Sequence, residues 1–289
     1  MTGILLIDKP ESWTSNDVVQ KLRGVLRERR IGHAGTLDPM ATGLLTVFVG
    51  RATRAVEFAE ADAKCYRAAL RLGLETNTQD ITGTVLQQRE VEVTQSELEQ
   101  ALLRFQGEIM QTPPMYSAIK VNGERLYKLA RRGEAVERAA RKITIPSLQL
   151  VGREGEVWIL DIHCSKGTYI RPLCHDIGEA LSCGGCMAAL RRTQAGAFRL
   201  EDAYTLEEVI AAAGEGSAER LLLPIDTMFQ TYPPMTVSAE NEKRIRNGNF
   251  FRCREPNGLW RLYSENGEFL ALAEAADGDC HTVKSFFEV

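Results

Sequence analysis

Long apolar runs are missing from this 289-residue chain, and the longest, around residues 44–49, falls far short of the ~20 residues a transmembrane helix needs. No membrane association is therefore expected. The opening MTGILLIDKP has no basic leader and reaches Asp8 and Lys9 after a few apolar residues, which does not fit a signal peptide, so a cytoplasmic location is the expectation. Repeats and low-complexity tracts are also lacking, which sets aside solenoids and disordered linkers. Seven cysteines at 65, 164, 174, 183, 186, 253 and 280 are odd in number and scattered, unlike a secreted disulfide framework, and read as reduced thiols. Only Cys183-Gly-Gly-Cys186 has metal-like spacing; with Cys174 and His175 as the nearest further ligands, a glycine turn between buried thiols is the simpler reading, and no metal is expected.

What is present suits an ordinary globular protein. With 44% hydrophobic and 26% charged residues the chain can bury a core, and its length allows one large domain plus a small one. A formal net charge of −4 argues against a uniformly basic nucleic-acid binder. Charge is uneven, however: residues 119–142 carry eight Lys or Arg against three Glu, or +5, which leaves −9 for the rest. One basic arm on an acidic body points to one anionic partner, although a solvated helix face is the usual source of such a run. Along it and just before it, Tyr116, Tyr127, Lys128, Arg131 and Arg132 interleave rings and cations as phosphate-tracking surfaces do.

Periodicity gives a short buried strand at residues 3–7, then a helix capped by Ser15 or Asn16 with Val18, Val19, Leu22, Val25 and Leu26 on its apolar face. Glycines and Asp-Pro break periodicity over residues 32–39, which predicts a loop. Strands are expected at 66–72 and 157–163, and capping boxes open helices at Thr94 and Thr205. Without a regular βαβ repeat this is an α+β chain. Gly, Ser and Pro over 213–232 suggest a linker, followed by a small β-rich domain with strands near 259–263, 269–273 and 283–287 between Asn-Gly and Asp-Gly turns.

Three stretches carry candidate chemistry. In Gly32-His33-Ala34-Gly35-Thr36-Leu37-Asp38-Pro39 two glycines permit tight turns and a proline fixes the chain just after a carboxylate. A phosphate-binding loop would need Lys and Ser or Thr after its last glycine, and Thr-Leu-Asp follows instead. On spacing alone Asp38 is either a turn residue or a functional acid, and neither a second matching carboxylate nor a Ser/His/Asp set is legible. In Ser165-Lys166-Gly167-Thr168-Tyr169-Ile170-Arg171-Pro172 a strand ends and Thr168 is placed to cap a helix reaching about residue 181. Tyr169 and Arg171 then fall in its first turn, where a flat ring and a planar cation suit a nucleotide pocket or, equally, a surface Arg beside a core Tyr. The third is the basic arm.

Together these segments resemble the TruB family of tRNA pseudouridine synthases from residue 3 to beyond residue 200. LLIDKPESWTS (5–15) is similar to the family's Lys-Pro motif, GHAGTLDPMATGLL (32–45) to its catalytic loop, HCSKGTYIRPLCHDIG (163–178) to its Tyr-Ile-Arg motif, and MYSAIKVNGERLYKLARRG (115–133) to its RNA-gripping insertion. Ser12 stands where the family usually has glycine, which bears on the local turn.

The resemblance implies a pseudouridine-synthase fold with a central mixed or antiparallel sheet over residues 1–228, an insertion at about 115–142, and a PUA-like RNA-binding domain at 229–289. It implies Asp38 as the essential carboxylate, nucleophile or proton acceptor, and His33 as a contact that helps displace the target base. Tyr66 would stack on the flipped uracil, Tyr169 and Leu190 would line the pocket, and Arg171 would pair with Asp38 and favour its ionised form. The implied substrate is uridine 55 in the tRNA T loop, with no cofactor, no obligatory protein partner and a monomeric state. The alternatives are an RNA-binding or tRNA-folding protein and a guide-dependent synthase acting on ribosomal RNA.

Overall fold

The computed structural model describes residues 1–60, 63–117, 119–121, 123–134 and 136–288, with the side chains of Lys120 and Arg131 also outside the described set. The elements begin with β1 (Gly3–Lys9), α1 (Ser15–Leu26), β2 (Ile31–Ala34), β3 (Thr42–Val49), α2 (Val56–Glu60), β4 (Lys64–Leu72), β5 (Leu74–Thr76), β6 (Val85–Gln88), α3 (Gln95–Leu103) and β7 (Gly107–Gln111). They continue with β8 (Lys120–Val121), β9 (Glu124–Arg125), α4 (Leu126–Arg131), β10 (Arg141–Ile145), β11 (Ser147–Glu154), β12 (Val157–Cys164), α5 (Ile170–Ala180), β13 (Gly185–Ala195) and β14 (Phe198–Arg199). The last part holds α6 (Leu206–Gly214), β15 (Pro234–Thr236), α7 (Ala239–Arg246), β16 (Phe251–Arg252), β17 (Gly258–Tyr263), β18 (Phe269–Ala276) and β19 (Asp279–Ser285). This is an α+β protein, and it divides into two compact units: Met1–Pro39 with Leu45–Ala61 and Leu200–Val289, and Met40–Leu44 with Asp62–Arg199. No helix among the described residues is long and apolar enough to cross a membrane.

In the first unit α1 turns Val18, Val19, Leu22 and Leu26 onto Leu5 and Ile7 of β1, Val47 and Val49 of β3, and Val209 of α6. Each such side chain, fully buried, contributes roughly 1.5–3 kcal/mol. The cap of α1 is Thr14 rather than Ser15 or Asn16: its side chain accepts from the Asp17 N–H at 3.0 Å while the Asp17 carboxylate accepts the Thr14 N–H at 2.9 Å. Ser15 is already helical and fully buried, which leaves the capping position one residue earlier. The capping boxes at Thr94 and Thr205 are present as expected. Residues 31–34 depart from the predicted loop, because Ile31 to Ala34 pair antiparallel with Val49 to Thr46 of β3 and the ladder overrides the glycine. Irregular chain begins only at Gly35.

The C-terminal strands of this unit form a five-stranded sheet in the order β15-β17-β18-β19-β16, over a core that includes Met235, Ile245, Leu262, Leu270 and Phe287. Its third expected strand starts earlier, at Asp279, and stops at Ser285. The segment 213–232 is not a bare linker. It contains the end of α6 and 3-10 turns at Ala218–Leu221 and Ile225–Phe229, and Phe229 packs edge-on to Phe58 at 5.3 Å and against Phe286 at 5.7 Å. With the Arg54 guanidinium donating to the Ser285 carbonyl at 3.1 Å, these rings hold the C-terminal sheet against residues near α2. Apolar side chains between the Gly and Pro positions, not the turn formers, decide what this segment does.

The second unit is built on a mixed sheet. Thr42 and Gly43 pair in parallel with Arg191 and Arg192 of β13, and β13, β4, β12 and β11 follow as antiparallel neighbours. Helix α5 packs on β13, and Gly178 touches the Gly184–Gly185 backbone so closely that a side chain there would collide with it. The glycines of Cys183-Gly-Gly-Cys186 thus serve helix packing. Strands β7 and β10 form a two-stranded ladder whose last facing pair is Gln111 and Arg141. That ladder closes the root of the basic insertion.

Candidate active site

The loop bearing Asp38 lies in the first unit and is braced from the Lys-Pro segment. After β2 ends, Gly35 takes φ +68°, a left-handed turn that glycine adopts without strain, and Asp38 emerges half-buried. Lys9 is fully buried, and its Nζ donates to the carbonyls of Pro10 at 2.8 Å, Trp13 at 2.6 Å and Pro39 at 3.4 Å. The Ser12 N–H reaches the same Pro39 carbonyl at 2.8 Å. On the other side of Asp38, the Ser15 Oγ accepts from the Leu37 N–H at 2.9 Å and donates back to its carbonyl at 3.3 Å. Both neighbours of Asp38 are therefore fixed, which restricts where its carboxylate points. His33 sits on β2 opposite Val47, half-buried.

The brace is a role that sequence reasoning missed, although a lysine at the end of a buried strand was a readable signal. Ser12 adopts φ +67°, so the position where glycine is usual is a left-handed one held here by a serine.

The other expected residues lie in the second unit. Tyr66 on β4 faces Arg192 on β13, and Ala68 faces Leu190, so Tyr66 and Leu190 are diagonal neighbours on one face of the sheet. Register slips by one residue just before and just after this run, between Met187 and Ala189 and between Arg192 and Gln194. Such bulges re-aim side chains near functional sites.

Tyr169, not Thr168, is the N-terminal boundary residue of α5, and it makes no side-chain cap. Thr168 instead turns its Oγ1 back to the Ser165 carbonyl at 2.9 Å. Arg171, in the first turn, is 5% exposed; its Nη2 donates to the Tyr116 carbonyl at 2.7 Å and its Nη1 to the Thr78 carbonyl at 3.2 Å, with the Asp80 carboxylate 3.8 Å away. Asp80 in turn accepts from Thr78 Oγ1 at 2.8 Å, the Thr82 N–H at 3.0 Å and Thr82 Oγ1 at 2.6 Å. The alternation Thr78-Gln79-Asp80-Ile81-Thr82 was legible and overlooked. It gives Arg171 a buried anionic neighbour whose own position is locked.

The basic arm is partly neutralised within itself. The guanidinium of Arg132 binds Glu124 at 2.6 and 3.0 Å and Glu134 at 2.7 Å, which raises its pKa further and lowers that of Glu124. The Arg131 side chain, and positions 118, 122 and 135, lie outside the described residues. No group of three or more His, Cys, Asp or Glu suited to a metal ion occurs among the described residues. Burial pushes the Cys186 thiol up to about 11 and Cys174 higher still, so both stay protonated at neutral pH.

The chain matches known proteins over most of its length. Residues 23–170 match the family model described as TruB family pseudouridylate synthase (N terminal domain), and residues 171–230 match that of the tRNA pseudouridylate synthase B C-terminal domain. The chain is 45% identical over 280 residues to a tRNA pseudouridine synthase B of Ectopseudomonas mendocina (strain ymp), covering 95% of this chain and 92% of the relative. It is 43% identical over 292 residues to one from Clostridium kluyveri, covering 99% and 100%. Among solved structures, an H/ACA RNP bound to a substrate RNA containing 2'-deoxyuridine superposes with TM-score 0.75 at 22% identity, covering 99% of this chain and 85% of that one. A Cbf5-Nop10-Gar1 complex gives 0.74 at 24%, covering 99% and 84%, and at these identities the likeness concerns the fold.

Proposed function

The chain belongs to the TruB family of pseudouridylate synthases, enzymes that isomerise uridine in RNA, and from that premise we propose that it converts uridine 55 in the T loop of tRNA to pseudouridine, with Asp38 as the catalytic carboxylate. The observation that carries this reading is the intact catalytic-loop motif at residues 32–45, whose acid is flanked on both sides by backbone bonds to the Lys-Pro segment. A carboxylate held in this way is positioned for one bond of one substrate.

The uracil must first leave its stack, at a cost of a few kcal/mol. Stacking on Tyr66, worth ~1–3 kcal/mol, offsets that cost, while Tyr169 and Leu190 line the remainder of the pocket and His33 contacts the displaced base. Family resemblance assigns Arg171 to Asp38 as the cation that favours an ionised carboxylate. Cleavage of the bond between N1 and C1′, rotation of the base, formation of the bond from C5 to C1′, loss of the C5 proton and gain of a proton at N1 complete an isomerisation that consumes no water. Asp38 acts in it either as nucleophile or as proton acceptor. Residues 229–289 are the PUA-like RNA-binding domain and the insertion at 115–142 grips the T arm; the enzyme works as a cytoplasmic monomer without cofactor or protein partner.

The test is to incubate the purified chain with an unmodified tRNA transcript carrying C5-tritiated uridine, count released tritium and map the modified nucleotide. One equivalent released, all from position 55, is expected. Release from another uridine would overturn the assigned position. No release without added guide RNA and proteins would favour a guide-dependent synthase or a binding protein.

A further inference from the structure

We propose that Gln111 and Arg141, the facing pair at the root of the 112–140 insertion, are positioning residues for Tyr169, so that the insertion and the base pocket are built on one clamp. The proposal rests on the reading above that Tyr169 lines the pocket. Gln111 is 1% exposed, and both ends of its amide are used on one residue: Oε1 accepts the Tyr169 N–H at 2.8 Å and Nε2 donates to the Tyr169 carbonyl at 2.9 Å. Two bonds to the same residue fix the peptide planes on either side of its Cα, and hence the direction in which its ring leaves the backbone. Tyr169 needs such a hold because it begins α5 with no side-chain cap.

Arg141 works on the same turn from the opposite strand. Its guanidinium carbon lies 5.0 Å from the centre of the Tyr169 ring, and Nη2 donates to the Gly167 carbonyl at 2.8 Å. Three residues further along β10, Thr144 exchanges bonds with Ser165 at 2.9 and 2.8 Å, so the strand tracks the whole 165–169 turn. The other end of the insertion holds the second pocket residue of α5, through the Tyr116 carbonyl on Arg171, and Arg138 closes the root by donating to the Pro113 carbonyl at 3.1 Å. A segment whose only task was to touch RNA would not need its root locked onto two residues of the pocket.

The experiment compares Gln111→Leu and Arg141→Met with the parent chain by single-turnover C5 tritium release at saturating tRNA, with tRNA binding and thermal unfolding measured alongside. The rate is expected to fall about tenfold for Gln111→Leu and about threefold for Arg141→Met, with Kd for tRNA within about twofold, because misplacing a pocket group acts on the step rather than on binding. In a Tyr169→Leu background the further loss from Gln111→Leu should shrink below about twofold, since both changes then act through the same residue. Rates within about twofold of the parent for both variants, or a loss undiminished in the Tyr169→Leu background, would overturn the proposal. Should Gln111→Leu fail to fold, the partly exposed Arg141→Met decides alone by the same two comparisons. An unchanged rate for Tyr169→Leu itself would remove the pocket assignment and this proposal with it, while tritium release by the parent chain would leave the wider reading standing.

Discussion

Two stretches of this protein, the loop at residues 35–39 and the insertion at 112–140, are held in opposite ways. The loop is short and is tied on both sides of its acid by a buried ammonium, a serine hydroxyl and a backbone N–H. The insertion is long, carries most of the excess positive charge and is fastened mainly at its root, while beyond it ion pairs such as Arg132 with Glu124 lie at the surface. Chemistry at one bond demands a carboxylate fixed to a fraction of an ångström, whereas a phosphate backbone can be followed by cations with several arrangements. The protein spends its buried hydrogen bonds where position matters most.

The largest effect should come from the brace. Lys9→Met strips the donor from three carbonyls in a fully buried site and is expected to destabilise the first unit by about 3 kcal/mol, read from urea unfolding. Stability within experimental error of the parent would break the contrast between loop and insertion. Next comes Asp80→Asn, which keeps shape but removes the charge beside Arg171; kcat should fall by roughly tenfold or more at nearly constant KM. A change confined to KM would mean that Asp80 serves RNA binding instead.

Ser12→Gly sharpens the comparison from the other direction. At φ +67° the serine is strained, so glycine should stabilise by about 0.5–1 kcal/mol after its greater freedom in the unfolded chain is counted. A loss of stability there would show that the Ser12 side chain matters more than its backbone angle. Smaller still is the acid dependence of the three capping boxes. Hydrogen bonds from Thr14, Thr94 and Thr205 hold Asp17, Glu97 and Glu208 below their ordinary values of 3.8, 4.5 and 4.5. Their contribution is complete above those values and is lost as pH falls through the lowered ones, so Thr94→Ala should flatten the acid limb of a stability curve and leave the curve near pH 7 almost parallel to the parent. Last, Glu124→Gln leaves the exposed Arg132 with Glu134 as its one acidic partner of the two and should leave thermal unfolding unchanged while binding tRNA more tightly at low salt.

Much of this was readable in the residues. Capping boxes at Thr94 and Thr205 and the strands around Tyr66 and residue 157 were found from local pattern, because each rests on neighbours in sequence. The strand at Ile31–Ala34 was not, since its glycine argues for a loop and only the ladder with β3 outweighs that. The same holds for 213–232, where the aromatic packing of Phe229 involves Phe58, far away in sequence. Asp38, Tyr169 and Arg171 were candidates from local pattern, each with an open alternative, whereas His33, Tyr66 and Leu190 were named only through family motifs. What supports them, Lys9, Asp80 and Gln111, was missed for a common reason: each acts on a backbone or side chain 30 to 91 residues distant, which no local window contains.

The most direct test of the account is single-turnover tritium release by Asp38→Asn at saturating tRNA, with binding measured on the same preparation. Retained binding with release abolished is the predicted result; release at the parent rate by a folded, tRNA-bound Asp38→Asn would show that the braced loop does not carry the chemistry.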